Sequence, residues 1–63
     1  MCDISVFVMK NGSEEKVLEN VERVEEVAGG GMRLSNIFGE EETINARMVL
    51  YSNSEKRMVF APV

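Results

Sequence analysis

Ser13-Glu14-Glu15-Lys16-Val17-Leu18-Glu19-Asn20-Val21-Glu22-Arg23-Val24-Glu25-Glu26-Val27-Ala28-Gly29-Gly30-Gly31 is the stretch whose reading decides the fold of this 63-residue chain. Val17, Leu18, Val21, Val24 and Ala28 fall at helical spacing, with Ser13 as a candidate cap and three glycines as the stop. Periodicity alone predicts a helix. The same residues also read as strands, with Lys16-Val17-Leu18 closing a hairpin, Glu19-Asn20 turning, and Val21 to Val27 running into the glycines. Taken alone, the segment allows both.

Outside this stretch the pattern is β. Ile4-Ser5-Val6-Phe7-Val8-Met9 is β-branched and aromatic, and Lys10-Asn11-Gly12-Ser13 carries the Asn-Gly pair that favours a tight hairpin turn. Alternation sets Cys2, Ile4, Val6 and Val8 on one face and Asp3, Ser5, Phe7 and Met9 on the other. The second face turns apolar at Phe7, as at a subunit contact or at a bend in a small barrel. After the glycines, Met32, Leu34 and Ile37-Phe38 alternate with Arg33 and Ser35 until Gly39-Glu40-Glu41-Glu42 breaks the run. Thr43-Ile44 leads into Arg47-Met48-Val49-Leu50-Tyr51, Ser52-Asn53-Ser54 turns the chain, and Arg57-Met58-Val59-Phe60-Ala61 follows, with Pro62 unable to donate to a ladder. The C-terminal half reads as a β-meander. Strands at this spacing in so short a chain predict a single small barrel over residues 1–63, whose closure hides aggregating edges.

Composition narrows the function. The chain is 44% hydrophobic and 29% charged, an ordinary globular balance. A chain this short buries only about 60% of its unfolded surface, so a second subunit would help and a homodimer is expected. Seven Lys and Arg against eleven Asp and Glu give a formal charge of −4, which disfavours nucleic acid as a partner. There is no histidine, which removes the commonest general base and the commonest transition-metal ligand. No Ser, Cys or Lys nucleophile has an evident partner base, so an enzyme is not expected. No apolar run has the length of a membrane span and the start lacks the pattern of a signal peptide, so a cytoplasmic protein is expected.

Cys2 is the single cysteine, which excludes a disulfide within one chain and suits a reducing compartment. A lone cysteine is ordinarily a small buried hydrophobe. Its place beside the initiator methionine suggests a ligand instead. Removal of Met1 would unite an α-amine and a thiol on one residue, and a retained Met1 still offers its amine, the Cys2 amide nitrogen and the Cys2 sulfur. Two copies about a two-fold axis supply two nitrogens and two sulfurs, a donor set that suits nickel(II) or copper(II) in a plane. Nickel is the expected ion, bound less tightly as pH falls below neutrality because thiol and amine must lose protons. A Cys2–Cys2 disulfide between copies is a redox alternative that a reducing cytosol keeps open.

The remaining candidates have plainer readings. Glu14-Glu15, Glu25-Glu26 and Glu40-Glu41-Glu42 lack calcium-loop spacing and read as solvated surface. Met9, Met32, Met48 and Met58 read as core packing rather than a copper(I) site. Gly29-Gly30-Gly31 reads as a turn, since no Lys-Ser/Thr pair follows it. Arg33, Arg47, Lys56 and Arg57, converging with Tyr51 or Phe60, would make an RNA-binding face, against which the aromatic content of 6% counts.

The Met1-Cys2 start followed directly by a strand, the length, Gly29-Gly30-Gly31, and Arg33-Leu34 leading to Ile37-Phe38-Gly39-Glu40 resemble the CooT family of small nickel-binding proteins. Relatives of that family have also been called predicted RNA-binding proteins. The resemblance implies an all-β, SH3-like or Sm-like barrel of about five or six strands. It tips the ambiguous segment toward strands, with room for one helical turn near Glu19 to Glu22. It also implies a homodimer holding nickel(II) at its axis through Cys2 of each chain. The client it implies is a metalloenzyme or maturation factor such as carbon monoxide dehydrogenase. The alternative, from another class, is an RNA-binding or protein-interaction barrel with no metal role.

Overall fold

Asn11 (φ 52°) and Gly12 (φ 81°) both adopt left-handed backbone, which is what a two-residue hairpin turn needs to match the twist of its strands. They join strand β1 (Ile4–Lys10) to β2 (Ser13–Glu26), with Lys10 opposite Ser13. A computed structural model describes residues 3–63. Beyond β2 come β3 (Met32–Asn36), β4 (Glu41–Ile44), β5 (Ala46–Ser52) and β6 (Arg57–Pro62), and no helix occurs among the described residues.

The deciding stretch is one bulged strand. Between Ile4↔Val21 and Val6↔Leu18, three steps along β2 match two along β1, and between Val6↔Leu18 and Phe7↔Lys16 two steps match one. A third irregularity lies on the other side, where Val21↔Asn36 is followed by Arg23↔Ser35 in β3. Each bulge inserts a residue and resets which face points inward. Leu18 and Val21 are therefore both buried, and Val24 packs against the same core, although each pair is three apart. That spacing imitates a helix. Of the two readings of residues 13–31, the strand reading toward which the family resemblance tipped is the one that forms, whereas the helix that periodicity predicts and the helical turn near Glu19 to Glu22 do not. The local turn is instead supplied by Asn20 at φ 57°, and Ala28, counted on the helical face, is exposed.

The sheet order is β4-β3-β2-β1-β6-β5, antiparallel except for the interior β1–β6 pair. β4 and β5 therefore occupy opposite edges, yet only Asn45 separates Ile44 from Ala46. A flat six-stranded sheet at roughly 4.8 Å per strand would hold those edges far apart. The sheet must curl until its edges meet at this corner, which gives the expected small all-β barrel, open along the remainder of β4 and β5. Val6, Leu34 and Phe60 are completely buried inside it, joined by Val8, Leu18, Val21 and Ala46. The expected C-terminal meander is corrected to two hairpins, β3–β4 and β5–β6, because β4 does not pair with β5.

Three further expectations meet the structure. The third strand ends at Asn36, so Ile37 and Phe38 stand in a turn, 48% and 70% exposed, and β4 begins within the acidic run at Glu41. Phe7 is half-buried because the Arg57 guanidinium lies 5.4 Å from its ring centroid, a cation–π contact made by β6 within the same chain. Met32 and Met58 pack against the core as expected, but Met48 is 51% exposed.

Candidate functional site

Cys2 lies outside the described residues. The chain enters the structure at Asp3 and Ile4, and the surroundings of Ile4 define the candidate site. The Asp3 carboxylate is 4.0 Å from Lys56 Nζ, and the Ser5 amide donates to the Lys56 carbonyl at 3.0 Å. These contacts fix the start of β1 against the turn that precedes β6. Beside Ile4 runs a groove of about 280 Å³, lined by Val21, Val24, Met48, Tyr51 and Met58, with Glu22 and Arg23 at its side. Its wall is continuous with β5, where Met48, Val49, Leu50 and Tyr51 are 40–56% exposed.

Four large apolar residues exposed in succession contradict strand alternation, and a bulge explains them. Met48 pairs with Phe60 and Leu50 with the next residue back, Val59, so Val49 has no opposite number in β6. Sequence reading missed this surface. Its signal was visible as an unbroken apolar run, Met48-Val49-Leu50-Tyr51, on a strand expected to alternate.

The charged residues are largely paired. Arg33 donates to Glu25 Oε1 from Nε at 3.1 Å and from Nη2 at 2.9 Å, directly across the β2–β3 ladder. These hydrogen bonds and the adjacent positive charge hold the Glu25 carboxyl below the usual carboxylate range and raise Arg33 in turn. Arg57 hydrogen-bonds Glu14, which raises the guanidinium's pKa. Glu15 lies near Lys10, and Glu19 accepts from Lys16 at 2.9 Å. The acidic clusters lie at the surface, as expected, with Glu14, Glu15 and Glu25 ion-paired and Glu40-Glu41-Glu42 exposed. Among the described residues, no group of three or more His, Cys, Asp or Glu is arranged to hold a metal ion.

The residues considered for RNA do not all converge. Arg33 sits on β3 and Arg47 at the far end of the β5–β6 hairpin from Arg57, so only Lys56, Arg57 and the exposed Tyr51 share one end of that hairpin, while Phe60 is fully buried and offers no stacking surface. Gly29 and Gly30, at φ 94° and 91°, form the expected turn, with the Gly30 amide donating to the Val27 carbonyl at 3.2 Å. No helix among the described residues is long and apolar enough to cross a membrane.

These features define a small all-β barrel-like protein with an apolar flank beside the start of its first strand. A family model described as CO dehydrogenase accessory protein CooT matches residues 1–59, and the chain belongs to the CooT family. It is also similar to the crystal structure of a protein provisionally named CooT from Carboxydothermus hydrogenoformans. That likeness has 27% sequence identity and a TM-score of 0.88 over 98% of each chain. No curated protein matches. The family is thus one of accessory proteins to a metalloenzyme, as the resemblance of the Met1-Cys2 start and the Arg33 to Glu40 run implied.

Proposed function

We propose that this protein carries nickel(II) for the maturation of a metalloenzyme, with CO dehydrogenase or one of its maturation factors as client. In this reading it works as a cytoplasmic homodimer that binds the ion through Cys2 of each chain. The observation that carries the reading is membership of the CO dehydrogenase accessory family over residues 1–59, a span that includes Cys2. Donor chemistry supports it. Cys2 is the only thiol and the chain has no imidazole, so a site for a borderline-soft ion draws on this sulfur and the nitrogens bonded near it. One chain supplies too few donors, whereas two chains supply two sulfurs and two nitrogens, a set compatible with planar nickel(II). The ion is cargo here, held in a site accessible enough to release it.

A nickel titration of reduced protein, followed in the near-ultraviolet and visible range with Cys2→Ser alongside, tests this. Thiolate-to-nickel charge-transfer bands that saturate at one ion per two chains, and that vanish in the variant, are expected. Equal nickel binding by Cys2→Ser would overturn the assignment. Interaction with RNA has less support, because Arg33 and Arg57 are engaged by Glu25 and Glu14 and the buried Phe60 cannot stack on a base.

A further inference from the structure

Only the second half of β2 has a strand on each side. Its ladder with β3 runs from Val21 to Glu26, while Lys16 and Leu18 pair with β1 alone. From Ser13 to Glu19 the other edge of β2 therefore has no strand partner among the described residues. The left-handed Asn20 marks the point of divergence, where its carbonyl accepts from the Ile37 amide. Between this bare edge and the β3–β4 turn lies a trough of about 380 Å³, with Lys16 to Asn20 on one side and Asn36, Phe38, Glu40 and Glu42 on the other. Lys16 and Val17 also line a second hollow, of about 290 Å³, that carries the trough on toward Ile44 and Ala46.

We propose that this trough receives an extended, cationic segment of a partner protein, which adds to the bare edge of β2 as a further strand. The backbone supplies affinity, because an unpaired edge offers donors and acceptors to an incoming strand. The side chains specify its chemistry. Phe38 is 70% exposed on a turn that buried Asn36 holds from within, and it faces the trough together with half-buried Val17 as a fixed apolar anchor. The charge around that anchor is negative. Glu19, Glu40 and Glu42 line the trough against one cation, Lys16, whose ammonium is already bound by Glu19. Among the described residues, Glu40 and Glu42 have no cation within ion-pair distance, in contrast to Glu14, Glu15 and Glu25. A strand with an apolar residue between lysines or arginines satisfies the anchor and the carboxylates at once, whereas an acidic strand is repelled. The net charge of −4 extends the same preference to approach from a distance. The proposal needs neither an ion nor a thiol, so it stands apart from the nickel reading.

Amide NMR of reduced, metal-free protein tests the proposal. The probes are a synthetic peptide in which lysine alternates with leucine, its ends acetylated and amidated, and the same peptide with glutamate for lysine. The lysine peptide is expected to shift the amides of Lys16 to Glu19 and of Phe38, and to slow hydrogen exchange along that half of β2 as added strand bonds form. Phe38→Ser and Glu42→Lys should each weaken binding about tenfold, and both sites are exposed, so the core is left intact. Glu26→Lys makes the same charge change at the far end of β2 and should bind as the wild type does, as should Cys2→Ser. No binding of the lysine peptide, equal binding of the glutamate peptide, or shifts confined to other strands would each overturn the proposal. So would unchanged affinity in Phe38→Ser and Glu42→Lys, or a loss in Glu26→Lys as large as in Glu42→Lys. A change of sedimenting mass in Phe38→Ser would identify a second copy of this chain as the occupant and overturn it as well. Nickel binding lost in Cys2→Ser with peptide binding intact keeps the two readings distinct.

Discussion

Ile44 and Ala46 are separated by one residue in the chain and stand on opposite edge strands of a six-stranded sheet. That relationship closes the barrel. It also explains why Ala46, the first residue of an edge strand, is only 3% exposed and belongs to the same core as Leu34 and Phe60. Where the edges converge, the Ala46 methyl group is packed into that core. The backbone adds its own tie, since the Val63 amide donates to the Asn45 carbonyl at 3.4 Å.

Enlarging that methyl group should therefore force the edges apart. Ala46→Leu is expected to destabilise the protein by about 1–3 kcal/mol through overpacking. The check is the urea midpoint at unchanged m-value. A midpoint equal to wild type would mean that the corner is open enough to take three more carbons.

Asn36 makes a second prediction. Its side chain is 3% exposed, and Oδ1 accepts from the Phe38 and Glu40 amides at 3.0 and 2.9 Å while Nδ2 donates to Glu40 Oε1 at 2.7 Å. The residue closes the turn from within and fixes how Ile37 and Phe38 are presented. Asn36→Ala strands these groups and is expected to cost about 1–3 kcal/mol. Asn36→Asp keeps both acceptor bonds but sets a carboxylate against the Glu40 carboxylate. It should therefore lie below wild type in stability, which denaturant melts of the three proteins would reveal.

Glu25 and Arg33 predict a pH dependence whose sign follows from the pair. Arg33 lowers the folded-state pKa of Glu25, so the contribution of the pair is complete above the unfolded carboxyl value of about 4.3. It is lost as pH falls through the lower folded value. In Arg33→Gln the Glu25 carboxyl should titrate at higher pH, as followed by carbon NMR of its side chain. The stability gap between variant and wild type should close in acid. Because both side chains are more than a third exposed, the gap at neutral pH should be small and should narrow further with salt.

The strands flanking the deciding stretch were legible because alternation and turn chemistry act locally. Val6 and Val8 are buried where alternation put them, and the Asn11-Gly12 turn has the backbone its residues dictate. Residues 13–31 were misread by period because β2 inserts three extra residues against its two neighbours. A bulge is decided by pairing across the sheet, which a single strand's pattern does not contain. The same cause hid the apolar edge at Met48 to Tyr51, where the irregularity opposite β6 defeats alternation. Phe7 was half legible. Its apolar character marked contact on the second face, but Arg57 lies fifty residues away in the chain and meets it only through the parallel β1–β6 pairing, which sets Phe7 beside Val59.

The bulge beside Asn20 can be tested directly. Asn20 holds φ 57° inside β2 while its carbonyl accepts from the Ile37 amide at 3.1 Å, so the strand's bend depends on a left-handed residue at this position. Glycine takes that conformation without a Cβ clash, and a β-branched residue is strained there. Asn20→Gly is expected to remain within a few tenths of a kcal/mol of wild type, whereas Asn20→Val should lose about 1–2 kcal/mol. Thermal melts of the two variants give the comparison. A valine variant as stable as the glycine variant would show that β2 bends without the left-handed residue. In that case the burial of both Leu18 and Val21 would have to come from the packing of Val6 and Phe60 against them.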